Sequence, residues 1–391
     1  YTTLERLPLL DSILGRYTKK PVAKLDAPVR AVLRSGLAQA KYMQVPMSAA
    51  VNESVRLTKA LGKSSAAGMV NAVLRKAVVT EVHEDDFATP LQRLGTYYCL
   101  SPAVAKLLYN QYGEEAFAMA AAFYERPATA IRVNTLRTTD EDLTDLLHTE
   151  GHSVRPGPWP HALLVEFNGS PAASRAFARG LFHVQGLASQ FAALCVGAQP
   201  GQKVADLCAA PGGKSLTLAE CMQNQGKLIS GEYVESRVPL LRKAFARCGV
   251  TCAEAVQNDA AQLRSDWGKF DRILCDVPCS GLGVIAKKPD IRYKDLDGIE
   301  NLLLSQQKIL QNGADLLAEN GRLVYSTCTV NRDENEEQVR TFLKNNPRFH
   351  VAVPALQLPG MQQGEYGTLF LPHKTATDGF FATILETEST Q

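Results

Sequence analysis

The chain has 391 residues, 45% of them apolar and 21% charged, with 42 Lys and Arg against 40 Asp and Glu for a net charge of +2. That balance excludes a disordered or fibrous chain, and the length accommodates two or three domains. No run of about 18 apolar residues occurs, so no membrane span is expected.

The first fifth of the chain is basic. Residues 1–80 carry thirteen Lys and Arg against Glu5, Asp11, Asp26 and Glu53, an excess of +9 that leaves −7 for the rest. The asymmetry points to an N-terminal module that meets a polyanion, although a solvated helical surface fits the same charges. Apolar residues recur at three and four through 29–43 (VRAVLRSGLAQAKYM), the period of a helix with one buried face. Residues 48–61 follow a break at Pro46, with Ser48 as the expected N-cap, and 64–78, 102–112 and 114–124 give three more helical segments. A helix bundle accounts for this stretch.

Residues 128–195 change character. ATAIRVNTL and ALLVEF read as strands around a helix at 140–151, a small α/β segment with a turn-rich stretch at Pro156, Gly157, Pro158 and Pro160. Residues 187–196 read as a helix leading onward. From 203 the pattern becomes strand, loop, helix, repeated: KVADLC, KLISGEY, DRILCDVP and GRLVYSTCT alternate with helical segments at 214–222, 236–249 and 302–317. Such alternation predicts a parallel sheet covered on both faces, with ligands bound beyond the carboxyl ends of its strands.

Several candidate residues follow those strands directly. Cys208, Ala209, Ala210, Pro211, Gly212, Gly213 and Lys214 form a loop whose paired glycines allow close backbone approach and whose following helix offers free N–H groups. The spacing is neither that of a P-loop nor that of a dinucleotide loop. Glu232 ends the second strand, Asp259 follows the third and Asp276 ends the fourth. A surface carboxylate explains each alone; acids at three successive strand ends together describe a nucleoside pocket.

Nine cysteines are present at 99, 195, 208, 221, 248, 252, 275, 279 and 328. None lies in a C-x-x-C pair and no His cluster accompanies them, so no metal site is expected. The odd count argues for a reducing, cytoplasmic setting over a disulfide framework. The chain opens at Tyr1 without a secretory pattern, and further native residues are expected before it. Most of the cysteines are expected to be small buried hydrophobes. Cys279 and Cys328 differ, because Asp276-Val-Pro-Cys279-Ser280 and Ser326-Thr-Cys328-Thr329 close two strands of one sheet and so open on one crevice. Position alone does not separate their roles.

DLCAAPGGKS, DVPCSGLGVIAKKPDIRY and LVYSTCTVNRDENE resemble the signature blocks of the RNA cytosine-C5 methyltransferases of the Fmu/Sun/RsmB type. VPMSAAVNESVRLTKA and KSSAAGMVNAVLRKAV resemble the NusB-like RNA-binding domain carried by the small-subunit ribosomal RNA members, so the resemblance covers nearly the whole chain. It implies S-adenosylmethionine as methyl donor, held by the block 208–214 and by Glu232, Asp259 and Asp276. It makes Cys328 the nucleophile and Cys279 the residue that helps product release, with Asp276 also placed to reach the target cytosine. In DNA cytosine methyltransferases the Pro-Cys cysteine attacks, so Cys279 is the competing candidate. Glu232 stands where many relatives have Asp, Thr329 where Ser is common and Val277 where Ala is frequent, while VQGLASQ at 184–190 lacks an acid found in the related segment.

The expected architecture is multi-domain: an all-α NusB-like helix bundle at 1–127, a small α/β RNA-binding or linker domain at 128–197, and an α/β Rossmann-like S-adenosylmethionine-dependent methyltransferase domain at 198–391. The expected partner is small-subunit (16S) ribosomal RNA, unassembled or partly assembled, met by a monomer. A cytosine stacked in a helix hides C5 and C6, so the target must be single-stranded or flipped out. Lys287, Lys288 and Arg292 are candidates to hold phosphates beside the pocket, or else a solvated loop. A transfer-RNA or large-subunit target, and a non-catalytic RNA-binding factor, are the alternatives; retention of both cysteines and three acids weighs against the last.

Overall fold

The computed structural model describes residues 1–126 and 128–387. Pro127, where the first expected boundary falls, and the last four residues of the third expected domain lie outside the described residues. The chain forms two compact units, Tyr1–Phe123 with Lys287–Leu296, and Tyr124–Ala286 with Asp297–Gln391.

The first unit is helical. Its main helices are α1 (Leu7–Gly15), α2 (Ala27–Tyr42), α3 (Met47–Ala60), α4 (Ala67–Val78), α5 (Pro102–Tyr112) and α6 (Glu115–Ala122). The three-and-four spacing in α2 buries Val29, Val32, Leu33 and Leu37 against Leu10, Ile13, Leu14, Val51, Val70 and Leu74. Ser48 does not cap α3. The helix starts two residues earlier than that cap requires, with Pro46 at the cap position and no side-chain cap bond. Pro46 fixes the entry dihedral itself, which leaves Ser48 inside the first turn. Lys19, Lys20, Lys24, Lys59, Arg75 and Lys76 are exposed on this unit.

The second unit holds two sheets. The smaller is antiparallel in the order β2-β3-β1-β4, made of β1 (Thr129–Val133), β2 (Ser153–Pro156), β3 (Ala162–Glu166) and β4 (Phe182–Val184), with α7 (Asp140–Thr149) packed on it. Its core is Ile131, Val133, Leu143, Leu147, Leu163, Val165 and Phe182. Pro156 ends β2, so part of the expected turn is strand. Two buried side chains tie this sheet to the next layer. Arg132 Nε meets Glu220 at 2.8 Å, and Asn134 Nδ2 donates to the carbonyls of Gly180 (2.7 Å) and Cys248 (2.8 Å). The helix α8 (Leu187–Cys195) follows.

The larger sheet runs β11-β12-β13-β9-β8-β5-β6-β7, with β10 paired to β13. Its parallel part comprises β5 (Lys203–Asp206), β6 (Lys227–Glu232), β7 (Ala253–Gln257), β8 (Phe270–Asp276) and β9 (Leu317–Thr327), with connecting helices α9 (Gly213–Cys221), α10 (Val238–Cys248) and α11 (Ile299–Leu316). After α12 (Glu336–Asn345) come β10 (Phe349–Ala352), β11 (Gln362–Gln363), β12 (Thr368–Phe370) and β13 (Phe380–Thr387). The expected wholly parallel sheet is therefore mixed. β13 lies antiparallel to β9, pairing Phe381 with Thr327 and Ile384 with Val324, so β9 is an interior strand. No helix among the described residues is long and apolar enough to cross a membrane.

Candidate active site at the sheet's switch point

The chain leaves β5 toward β6 and β7, then returns to β8 and β9 on the other side. β5 therefore ends at the switch point, where an open α/β sheet has its crevice. The loop 208–214 starts there. The N–H of Leu207 donates to Leu274 O (2.9 Å) and that of Ala209 to Gly231 O (2.8 Å), so the loop is held by both neighbouring strands. Gly212 has φ +108°, a conformation that favours glycine, and serves as the cap residue of α9. The Ala210–Pro211 bond is cis.

Glu232, 6% exposed at the end of β6, accepts from the N–H groups of Ala210 (3.3 Å) and Val234 (2.9 Å). It thus stands against the glycine loop with acceptor capacity left for a diol. Asp259 sits two residues beyond β7 and turns its carboxylate into its own loop, accepting from Ala261 N and Gln262 Nε2 at 3.0 Å each. The structure brings the loop, Glu232 and Asp276 together; Asp259 lies one strand further out. A glycine cradle, a helix N-terminus and an acid beside it fit the sulfonium-bearing nucleoside of S-adenosylmethionine.

On the other side of the switch point Lys214 reaches Asp276 (Nζ–Oδ2 2.7 Å), and Ser326 Oγ donates to Asp276 Oδ1 (2.7 Å). Burial works against the Lys214 charge, but the charge and hydrogen bond of Asp276 outweigh it and hold the ammonium above its ordinary range. The Lys214 ammonium also lies 5.4 Å from the centre of the Phe380 ring. Beneath them Asp206 is fully buried and accepts from Ser215 Oγ (2.7 Å); burial pushes its carboxyl up to about 7.

The two strand-end cysteines meet. Cys279 Sγ and Cys328 Sγ are 3.1 Å apart and both are reduced. The hydrogen bond with Cys328 and burial push the Cys279 thiol well up, and the Cys328 and Glu334 charges add to this. Their loops are stitched together: Gly283 N donates to Cys328 O (3.1 Å), and the hydroxyls of Ser280 and Thr329 are 2.8 Å apart. Gly283 lies so close to Gly379 that a Cβ there would sit 1.8 Å from the Gly379 carbonyl oxygen. By contrast Cys195, pushed to about 12 by burial, and Cys275, also pushed up by burial, are core thiols. The thiol of Cys208 is pushed up as well, chiefly by burial. Among the described residues no group of His, Cys, Asp or Glu is arranged to hold a metal ion.

The phosphate role expected of Arg292 is overturned. Residues 287–296 belong to the helical unit, where Arg292 is fully buried and donates to the carbonyls of Glu5 (3.0 Å) and Tyr98 (3.3 Å). A guanidinium enclosed in this way cannot reach a phosphate. Lys287 and Lys288 are exposed. The motifs left Ser280, Gly283, Gln306, Ser326, Glu334 and Gly379 without a role. Ser280 and Gly283 stand inside the Pro-Cys block, and Ser326 and Glu334 inside the Thr-Cys block; Gln306 and Gly379 lie outside both.

Three family descriptions match the chain: "16S rRNA methyltransferase RsmB/F" over residues 193–386, "NusB family" over 1–78, and the RsmF/B-like ferredoxin-like domain over 104–170. A probable ribosomal RNA small subunit methyltransferase B from Bacillus subtilis is 34% identical over 97% of this chain and 87% of its own length. The crystal structure of PH0851 superposes with a TM-score of 0.81 at 26% identity, over 98% of this chain and 88% of that one. A methyltransferase homolog from Pyrococcus horikoshii gives a TM-score of 0.68 at 25% identity, over 77% and 100%. With the switch-point loop, the strand-end acids and the helical N-terminal unit in place, the chain belongs to the RsmB/F family of 16S rRNA methyltransferases, enzymes that take their methyl group from S-adenosylmethionine.

Proposed function

We propose that the chain methylates C5 of one cytosine in small-subunit ribosomal RNA through a covalent adduct between Cys328 and C6 of the base. The observation that carries this reading is the pair of sulfurs 3.1 Å apart beside the Lys214–Asp276 pair, at the ends of adjacent parallel strands. C5 of cytosine is a weak nucleophile. Attack of the Cys328 thiolate on C6 moves the C5=C6 electrons onto C5, which then takes the methyl group. S-adenosylmethionine, held by residues 208–214 with Glu232 and Asp259, supplies that methyl as a sulfonium, a leaving group that departs as a neutral thioether. Loss of the C5 proton to a base and cleavage of the C6–S bond restore the aromatic ring.

Cys279 has a different task. With its own thiol pushed up, it remains protonated beside Cys328 and can donate its hydrogen to the sulfur that leaves C6. Asp276, fixed by Lys214 on one oxygen and Ser326 on the other, accepts in this reading from the cytosine amino edge with a remaining lone pair. The exposed lysines and arginines of the helical unit supply phosphate contacts, so affinity for RNA falls as salt rises. The three domains expected from the sequence divide the labour as RNA capture, linkage and catalysis, in a monomer working in the cytoplasm. The experiment that tests the reading is incubation with labelled S-adenosylmethionine and undermodified 16S ribosomal RNA, followed by mapping of the methyl. The expected result is one 5-methylcytosine; a methyl on another atom or another RNA class would overturn it.

A further inference from the structure

The two cysteine loops share a buried acid. Glu334 is fully enclosed, and its carboxylate accepts four hydrogen bonds. Oε2 accepts from Ser280 N (2.8 Å) and Gln306 Nε2 (3.0 Å), while Oε1 accepts from Ser280 Oγ and from Asn331 Nδ2 (3.1 Å). Gln306, on α11, also donates to Pro278 O (2.9 Å), and its own Oε1 is left without a partner. Both residues flanking Cys279 are therefore fixed, Pro278 by Gln306 and Ser280 by Glu334.

The same turn grips the other cysteine. Tyr325 OH donates to Glu334 O (2.6 Å), Thr327 Oγ1 donates to Asn335 Oδ1 (2.5 Å), and Asn335 Nδ2 donates to Thr329 O (3.1 Å). Glu334 thus joins β9, which ends one residue before Cys328, to the loop that carries Cys279. A buried carboxylate with four donors has no easy substitute, because an amide in its place turns an NH2 group toward donors.

We propose that Glu334 is a positioning residue that sets the contact between the Cys279 and Cys328 sulfurs, and through it the release of the methylated base. The proposal rests on the two-thiol reading of the site. It differs from that reading in making the thiol geometry depend on an acid that touches neither substrate nor methyl donor. The charge of Glu334 works in the same direction, since it adds to the Cys328 hydrogen bond and to burial in keeping Cys279 protonated.

The test uses the full chain carrying Glu334→Gln, without RNA or methyl donor. Diamide oxidises a close thiol pair: the two thiols give up two electrons and two protons to the diazene, which becomes a hydrazine, and an S–S bond forms. Mass spectrometry of the linked Cys279–Cys328 peptides gives the rate. Glu334→Gln is expected to slow it by about 10- to 100-fold, the kinetic equivalent of leaving one buried donor unsatisfied. In turnover, kcat should fall while the KM for S-adenosylmethionine changes by less than about twofold. An unchanged disulfide rate, or a loss of donor affinity in step with kcat, would overturn the proposal. Should Glu334→Gln fail to fold, Ser280→Ala keeps the backbone bond to Glu334 and removes the hydroxyl's links to Glu334 and Thr329; a slowing of about fivefold or more, and larger than in Thr329→Val, which loses only the second of these links, is expected, and no slowing beyond that of Thr329→Val would overturn the proposal. The disulfide rate needs no methyl transfer. An active Cys328→Ala would therefore sink the catalytic reading and leave this result standing, whereas a normal disulfide rate in Glu334→Gln would sink only the positioning role.

Discussion

One rim of the large sheet is built in two ways. At the ends of β5 and β6 the work is done by the main chain: Ala209 N bonds Gly231 O, Ala210 N bonds Glu232, and Gly212 takes a left-handed conformation. At the ends of β8 and β9 the side chains do it. Two thiols meet, and Lys214, Ser326, Gln306 and Glu334 hold the residues around them. A rim that presents backbone donors suits a ligand that must bind and leave unchanged in position. A rim that presents thiols must fix their separation, and only packed side chains from several elements can do that.

The sharpest way to break this comparison is Cys328→Ala. The reacting half loses its proposed nucleophile while the loop 208–214 and Glu232 are untouched, so methyl transfer should fall by at least about 10⁴-fold. Donor affinity should stay within about twofold, because Cys328 is not among the residues proposed to hold the donor. Label incorporation and equilibrium dialysis read the two quantities separately; loss of donor binding would show the halves to be one device.

Glu232→Gln tests the other half. Its carboxylate accepts the N–H bonds of Ala210 and Val234; if, as proposed, its remaining lone pairs take the ribose diol, the KM for S-adenosylmethionine should rise about tenfold with kcat nearly unchanged. Equal KM values would remove Glu232 from the cofactor site.

A third effect, on stability and not on turnover, concerns Asp206, which lies under both halves. Its carboxyl binds a proton more tightly in the fold than in the unfolded chain, with the folded value near 7. Its contribution to stability is therefore full below the ordinary carboxylate range and is lost as pH rises through about 7. Asp206→Asn should flatten the stability curve across that window, by at most about 4 kcal/mol. Denaturant midpoints at pH 5 and pH 8 measure it; parallel curves for both proteins would contradict the assignment.

The binding half was legible in the sequence because it is local. Cys208–Lys214 is one unbroken loop, and the strand–helix alternation from 203 places its acids at strand ends without any long-range information. The reacting half was legible in its two cysteines, Asp276 and Lys214, but not in the residues that hold the cysteines. Gln306 and Gly379 reach them from α11 and from the residue before β13, and nothing in their local sequence announces this; Glu334, in the turn after β9, lies inside the Thr-Cys block, but its partners do not show there. Glu334 reads as a solvated acid in NRDENE, since charged residues are usually exposed; four donors from distant segments bury it instead. Arg292 misleads for the same reason, its acceptors Glu5 O and Tyr98 O being set by packing remote in the chain. The antiparallel β13 was also hidden, because its pairing with β9 is made across α12 and three other strands.

The central claim is that Cys328 attacks and Cys279 releases, and Cys279→Ala tests it most directly. Incubated with S-adenosylmethionine and undermodified 16S ribosomal RNA, this variant is predicted to give a slow-migrating RNA–protein band on a denaturing gel. The band should vanish when Cys328→Ala is added to the same chain. Absence of the band in Cys279→Ala, or its persistence in the double variant, would contradict the division of labour between the two sulfurs.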